Sequence, residues 1–308
     1  MNSPLIPDPL KPGDTIGVVA PAAAFDVEKF QKGVLIIKDL GFNVEIPDGI
    51  FEKKRYLAGK DEHRALIFES MISRSDIDAI ICARGGFGTL RMLPHLKSKF
   101  DKYSPKRFIG FSDITPLLNI FAFNYNWVTY HGPVVTMISY ADQQTVDSFY
   151  EALTTPFLDR MPQTDTINIL SKGKTTKVSG RLCGGNLTTL CHMIGTPYAI
   201  NYPDIILFLE DCGEASYRID RLLSHLKMTE SFKNVKGVLL GSFQDCGDIN
   251  IIYELVIECF GNEIPIFSGF ECGHSLPNYT FPIGIWTEMN SKEKTVNFFC
   301  SKDQQFIL

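Results

Sequence analysis

The chain has 308 residues, 44% hydrophobic and 21% charged, enough for one large α/β unit or two ordinary ones with a packed core. Its formal net charge of −5 gives no general attraction for nucleic acid or anionic lipid, and no run of basic residues overturns this locally. No stretch reaches the roughly 18 apolar residues of a membrane span, and the proline-rich start MNSPLIPDPLKPGD is not a secretory signal.

The first half alternates strand and helix patterns. TIGVVAP (15–21) reads as a short buried strand. Residues 26–42 have helical spacing at Phe30, Val34, Ile37 and Leu40, ending at Gly41. FNVEIP is a second strand, 61–73 a helix, and IDAIICARG (77–85) a third strand running into glycines. A helix near 88–98, the strand RFIGF (107–111), a helix at 114–123 and the strand WVTYHGP (127–133) follow. This alternation implies a parallel sheet covered by helices on both faces.

Residues 155–178 break the rhythm with Pro156, Pro162 and the polar run SKGKTTK, and are assigned to a linker. Beyond them lie strands around 178–182, 205–210, 237–242 and 265–269, helices near 186–194, 217–228 and 250–260, and a final strand in KTVNFFC. The expected organisation is an N-terminal α/β domain (1–154) and a smaller C-terminal α/β domain with a mixed sheet (179–308).

Ser112 stands where an apolar strand meets a helix, between Phe111 and Asp113. A turn there pushes the hydroxyl beyond the strand end, and a helix start offers free amides to an oxyanion. The same position equally suits a helix N-cap. ARGGFG (83–88) ends another strand; its glycines admit a close ligand or oxyanion, or simply make a tight turn. It lacks the Walker lysine and the full G-x-G-x-x-G of a nucleotide site.

The strand IILFLEDC ends in Glu210 and Asp211, either of which could orient a histidine. Of the six histidines, His63, His95 and His225 read as surface and His192 as core or partner-facing. His131, after a strand, could line a pocket. His274 lies in a glycine-rich loop directly after a strand, a place suited to a general base.

The eight cysteines form no CxxC pair and sit mostly in apolar runs, as expected of small buried residues in the reducing cytoplasm. The short pairs Cys272/His274 and Cys191/His192 do not have zinc spacing, so no metal and no cofactor are expected.

Together the segments GDTIGVVAPA (13–22), ARGGFGTLRML (83–93), FIGFSDIT (108–115), YHGP (130–133), GRLCGGNLTTL (180–190), ILFLEDCGEASYRIDRLL (206–223), GVLLGSF (237–243) and FSGFECGH (267–274) span nearly the whole chain. In this order they resemble the LD-carboxypeptidases, a serine peptidase family that includes murein tetrapeptide carboxypeptidases and microcin C immunity peptidases.

The resemblance implies a Ser–His–Glu triad of Ser112, His274 and Glu210, with an oxyanion held by backbone amides of Asp113, Gly85 and Gly86. It implies a homodimer of two-domain subunits with the site between the domains, so that catalysis would wait on domain closure. The implied reaction releases terminal D-alanine from the L,D bond of a murein tetrapeptide, with Arg84 a candidate for the terminal carboxylate and His131 and Asn186 further candidate substrate contacts. A microcin-type immunity peptidase, cleaving an acidic aminoacyl-nucleotide amide, is the second reading; its longer active-site loop has little room in 308 residues. A non-catalytic pair of domains closing on a small ligand is the third.

Overall fold

The computed structural model describes residues 3–97, 99–161 and 167–301. Strands β1 (Thr15–Val19), β2 (Asn43–Glu45), β3 (Ala79–Cys82), β4 (Arg107–Gly110) and β5 (Thr129–His131) form a parallel sheet in the order β2-β1-β3-β4-β5. β3 and β4 are buried along their whole length, which is why AIIC of β3 reads as an unbroken apolar run rather than as alternation; in β4 the buried Arg107 spends its guanidinium on the carbonyls of Asp8, Ala152 and Thr155.

Helices α1 (Val27–Asp39), α2 (Asp61–Ser73), α3 (Thr89–Met92), α4 (Thr115–Asn124), α5 (Val135–Ile138) and α6 (Gln143–Thr154) fill the crossovers and the following segment. The spacing of Phe30, Val34 and Ile37 does form the buried stripe of α1, and Asp26 Oδ1 caps it by accepting the Lys29 N–H at 2.8 Å. The helix expected near 88–98 is shorter: α3 is followed by a 3₁₀ turn at Leu93–His95, because Pro94 cannot continue the ladder, and residue 98 lies outside the described residues. Helix α6, capped by Asp142 and burying Phe149 and Leu153, is not among the elements read from the sequence.

The second sheet contains β6 (Asn168–Lys172), β7 (Lys177–Asn186), β8 (Ile205–Cys212), β9 (Val235–Gln244) and β10 (Pro265–Ser268). After β11 (Phe281–Ile283) come β12 (Trp286–Asn290) and β13 (Thr295–Phe299), and the order is β13-β12-β7-β8-β9-β10-β6. The core strands β7 to β10 are parallel and the flanking strands antiparallel, giving the expected mixed sheet. Helices α7 (Leu187–Met193), α8 (Ser216–Lys227) and α9 (Ile249–Phe260) follow β7, β8 and β9.

Two findings correct the sequence-based division. Part of the expected linker is folded: residues 168–172 are the edge strand β6, and β7 begins at Lys177. An edge strand is polar where it meets solvent, so its composition imitates a linker. Residues 162–166 of that segment, Pro162 included, lie outside the described residues. The chain also crosses back, since β11 pairs antiparallel with β5 and closes the edge of the first sheet. One apolar cluster therefore runs from Phe30 and Val135 through Phe281 to Phe208 and Met289.

Buried polar contacts join the two sheets. Asn119 of α4 donates from Nδ2 to the Gly184 carbonyl at 2.8 Å and accepts the Gly184 N–H at 3.0 Å. Arg181 donates to the Ala122 carbonyl at 2.9 Å, and the Asn186 N–H reaches Thr115 Oγ1 at 3.1 Å.

Candidate active site

Ser112 follows the C-terminal end of β4 and opens the one-turn 3₁₀ helix that leads into α4. Its φ of 62° is left-handed, a conformation that carries a steric penalty of about 1–2 kcal/mol for a residue with a Cβ. The turn survives because its surroundings hold it: Thr115 Oγ1–H donates to the Ser112 carbonyl at 2.7 Å, and the Ile114 N–H to Phe111 at 3.2 Å. Gly85 packs against the serine so closely that a Cβ there would sit 2.9 Å from Ser112 Cβ and 3.1 Å from Oγ.

His274 Nε2 lies 3.1 Å from Ser112 Oγ, and its Nδ1 lies 2.7 Å from Glu210 Oε2. The imidazole is carried by the loop between β10 and β11. That loop is held from inside by the Gly273 N–H to Asn278 Oδ1 (2.9 Å), and from α6 by Thr145 and Ser148, which accept the N–H groups of Asn278 and Thr280. The Phe111 ring packs on the imidazole at 4.8 Å between centroids.

Glu210 and Asp211, adjacent at an irregularity in the pairing of β8, have different partners. Glu210, fully buried, meets His274. Asp211 instead caps α7, accepting from the Thr188 N–H and hydroxyl and from Asn186 Nδ2.

The pair shares one electrostatic problem. Burial opposes charge on His274, but the charge and hydrogen bond of Glu210, with the charge of Asp211, outweigh it and hold the pKa above the ordinary histidine range. At Glu210 burial is the larger influence and pushes the carboxyl upward against the pull of His274.

The amide of Asp113 sits in the first turn after Ser112, where no helical partner exists, and Gly85 packs against the same serine while Gly86 packs against Ala23. The Asp113 side chain has a separate task. It accepts the Thr89 N–H at 2.8 Å, tying the glycine loop to the serine turn, and burial raises its pKa to about 6. Arg64 ties the same loop to the segment after β1 by donating to the carbonyls of Gly88 and Pro21.

Ser112, His274 and Glu210 thus stand in one hydrogen-bonded line without any further closure of the two sheets, contrary to the expectation that closure must assemble them. Two of the proposed substrate contacts are placed differently from expectation. His131 is fully buried among Phe111, Phe208 and Phe281, with its pKa pushed down to about 3, because the returning strand β11 covers it. The Asn186 side chain is occupied as the cap of α7 and as a donor to Asp211.

Arg84 is exposed and lines a cleft of about 830 Å³ beside Gly86. Lys53 and Arg55 line it too, so the fold builds a local basic surface that the sequence shows only as the short KKR of 53–55. None of the eight cysteines is in a disulfide, and burial raises their thiol pKa values. Among the described residues no group of three or more His, Cys, Asp or Glu side chains could hold a metal ion.

This geometry has close counterparts. The LD-carboxypeptidase N-terminal domain matches residues 16–132, and the LD-carboxypeptidase C-terminal domain matches residues 179–289. The chain is 34% identical over 298 residues to a probable murein peptide carboxypeptidase of Bacillus subtilis, covering 94% of this chain and 92% of that one. It is 30% identical over 334 residues to the microcin C7 self-immunity protein MccF of Escherichia coli, covering 96% of each. A solved structure of an MccF-like protein from Bacillus anthracis superposes with a TM-score of 0.86 at 28% identity, covering 96% of this chain and 99% of that one. Matching domains on both sides of the serine–histidine–glutamate line, and full-length relatives at this identity, show that the chain belongs to the LD-carboxypeptidase family of serine peptidases.

Proposed function

We propose that this protein is a carboxypeptidase that releases terminal D-alanine from the L,D bond of murein tetrapeptides, with Ser112 as nucleophile, His274 as general base and Glu210 as its partner. The observation that carries the reading is the line from Ser112 Oγ to His274 Nε2 (3.1 Å) and from His274 Nδ1 to Glu210 Oε2 (2.7 Å), set at a strained strand-to-helix turn. The B. subtilis relative, named as a probable murein peptide carboxypeptidase, supports the substrate.

An ionised carboxylate only accepts, so Glu210 fixes the Nδ1–H tautomer and leaves the Nε2 lone pair toward the serine. His274 takes the Ser112 proton as Oγ attacks the carbonyl carbon. The oxyanion settles on the amides of Asp113 and of the Gly85–Gly86 turn, and the imidazolium is balanced by Glu210. Collapse expels D-alanine as the amine, which takes the proton from His274. Water, deprotonated by the same imidazole, then releases the shortened peptide and restores the serine. His274 must be neutral to start, so kcat/KM rises with pH through a midpoint above the ordinary histidine value.

The reading places Ser112 in residues 1–154 and Glu210 and His274 in 179–308, and includes a homodimer, as the family resemblance implies, in the cytoplasm, as the cysteine usage suggests. Among the described residues no helix is long and apolar enough to cross a membrane. The likeness to MccF favours a second reading, cleavage of an acidic aminoacyl-nucleotide amide. Incubation with L-Ala-D-Glu-diamino acid-D-Ala beside an acidic aminoacyl sulfamoyl nucleotide, followed by mass spectrometry, decides between them. Loss of D-alanine supports the first reading, and cleavage of the nucleotide alone replaces it with the second.

A further inference from the structure

The cleft beside Gly86 lies at the C-terminal ends of β1 and β3, where the order β2-β1-β3 reverses the direction of winding. Open parallel sheets leave a crevice at such a point, and ligands bind there. Three segments form its walls and are stitched together by backbone bonds. The turn 54–57 closes with the Lys54 N–H to the Leu57 carbonyl and the reverse, both at 3.0 Å, and the Ala24 N–H reaches Tyr56 at 2.8 Å. Arg84 donates to the Ala24 carbonyl at 2.9 Å.

The turn sets Arg55 and Tyr56 at its tip, and Arg55 has a φ of 58°. A left-handed first tip position strongly favours glycine, so a long cationic side chain there is held against backbone preference. Lys53, Arg55 and Arg84 all line the cleft, and none makes an ion pair among the described residues. The single acid lining it, Asp26, has one carboxylate oxygen committed to the cap of α1. Three uncompensated cations in a walled crevice of a chain of net charge −5 make a local attractor for anions.

The cleft is joined to the chemistry, since Gly86 lines it and the preceding Gly85 abuts Ser112. A carboxylate on the residue that follows a scissile carbonyl lies within one residue's length, about 3.8 Å between Cα atoms. We propose that this cleft is the acidic-peptide subsite of the enzyme, in which Arg84 binds the carboxylate of the leaving residue and Arg55 and Lys53 bind carboxylates carried further along the peptide. This assignment rests on the peptidase reading above. It makes the three cations determinants of specificity, separate from the serine, histidine and glutamate.

The test compares an acidic tetrapeptide with a free terminal carboxylate against the same peptide ending in a carboxamide, on the wild type, Arg84→Gln and Arg55→Gly. In the wild type amidation should lower kcat/KM by about 10–100-fold, the range for a lost charge-assisted pair. In Arg84→Gln amidation should change it by no more than about threefold, because the partner is already gone. An equal loss in both proteins overturns the assignment of Arg84. Arg55→Gly relieves the left-handed backbone, so its Tm should not fall, whereas its KM for the acidic peptide should rise and its salt dependence weaken. A KM unchanged in Arg55→Gly removes that residue from the subsite.

If the wild type cleaves neither peptide, the peptidase reading fails and the cleft is judged by calorimetry alone. Ser112→Ala should then still bind the free acid more tightly than the carboxamide, and equal affinities overturn the proposal.

Discussion

Replacing Glu210 with Gln isolates what its charge does. The amide oxygen of Gln can still accept the His274 Nδ1–H, now 2.7 Å from Oε2, so the imidazole keeps its place and loses only the facing charge. At an effective dielectric near 20, two unit charges about 4 Å apart attract by about 4 kcal/mol. That interaction exists fully only while the imidazolium exists, in the transition state, so its loss should lower kcat by about 10³. The pH profile should move as well. With the charge gone, burial becomes the dominant influence on His274, and the midpoint of kcat/KM should fall to lower pH. The assay is D-alanine release followed across the pH range, with circular dichroism to confirm folding. A variant within a few-fold of wild type, or one with an unmoved midpoint, would refute the claim that Glu210 stabilises the charged imidazole.

Gly273→Ala would place a Cβ 2.6 Å from Glu210 Oε2 and from Ser242 Oγ at a φ of 125°, so it should lower kcat by at least about tenfold; wild-type turnover would show that the carboxylate can shift freely. Asp113 holds its proton more tightly folded, at a pKa of about 6, than unfolded, so the chain loses stability as pH rises from about 4 through 6. Asp113→Asn, which keeps an acceptor for the Thr89 N–H, should therefore be more stable than wild type above pH 7 by about 2–3 kcal/mol, with the gain vanishing below pH 4 in denaturant titrations. Asn119→Ala strands both the N–H and the carbonyl of Gly184 and should cost about 2–4 kcal/mol of unfolding free energy; an unchanged midpoint would mean that this pair does not join the two sheets.

In the first sheet β3 was legible because a strand buried on both faces is a continuous apolar run, and the crossover helix α1 carries an apolar stripe behind a capping aspartate. Strand β6 was not, because an exposed edge tolerates the polar residues of a linker. Strand β11 was hidden for another reason: three residues containing Pro282 satisfy no strand pattern, and only the free edge of β5 makes them one.

At the site, Ser112, Glu210 and His274 were visible singly as strand-end residues, and the family order brought them together. His131 misled because a residue after a strand looks exposed until a distant segment covers it. The side-chain work of Asp113 and Asn278, and the cations of the cleft, depend on contacts between segments tens to more than a hundred residues apart, which local pattern cannot show.

The claim that Ser112 is the nucleophile is tested most directly by covalent capture. A fluorophosphonate should add once per chain, at Ser112 by peptide mapping, and Ser112→Ala should lose both the adduct and D-alanine release. Turnover that survives in Ser112→Ala, or an adduct on another residue with turnover lost, would contradict the account.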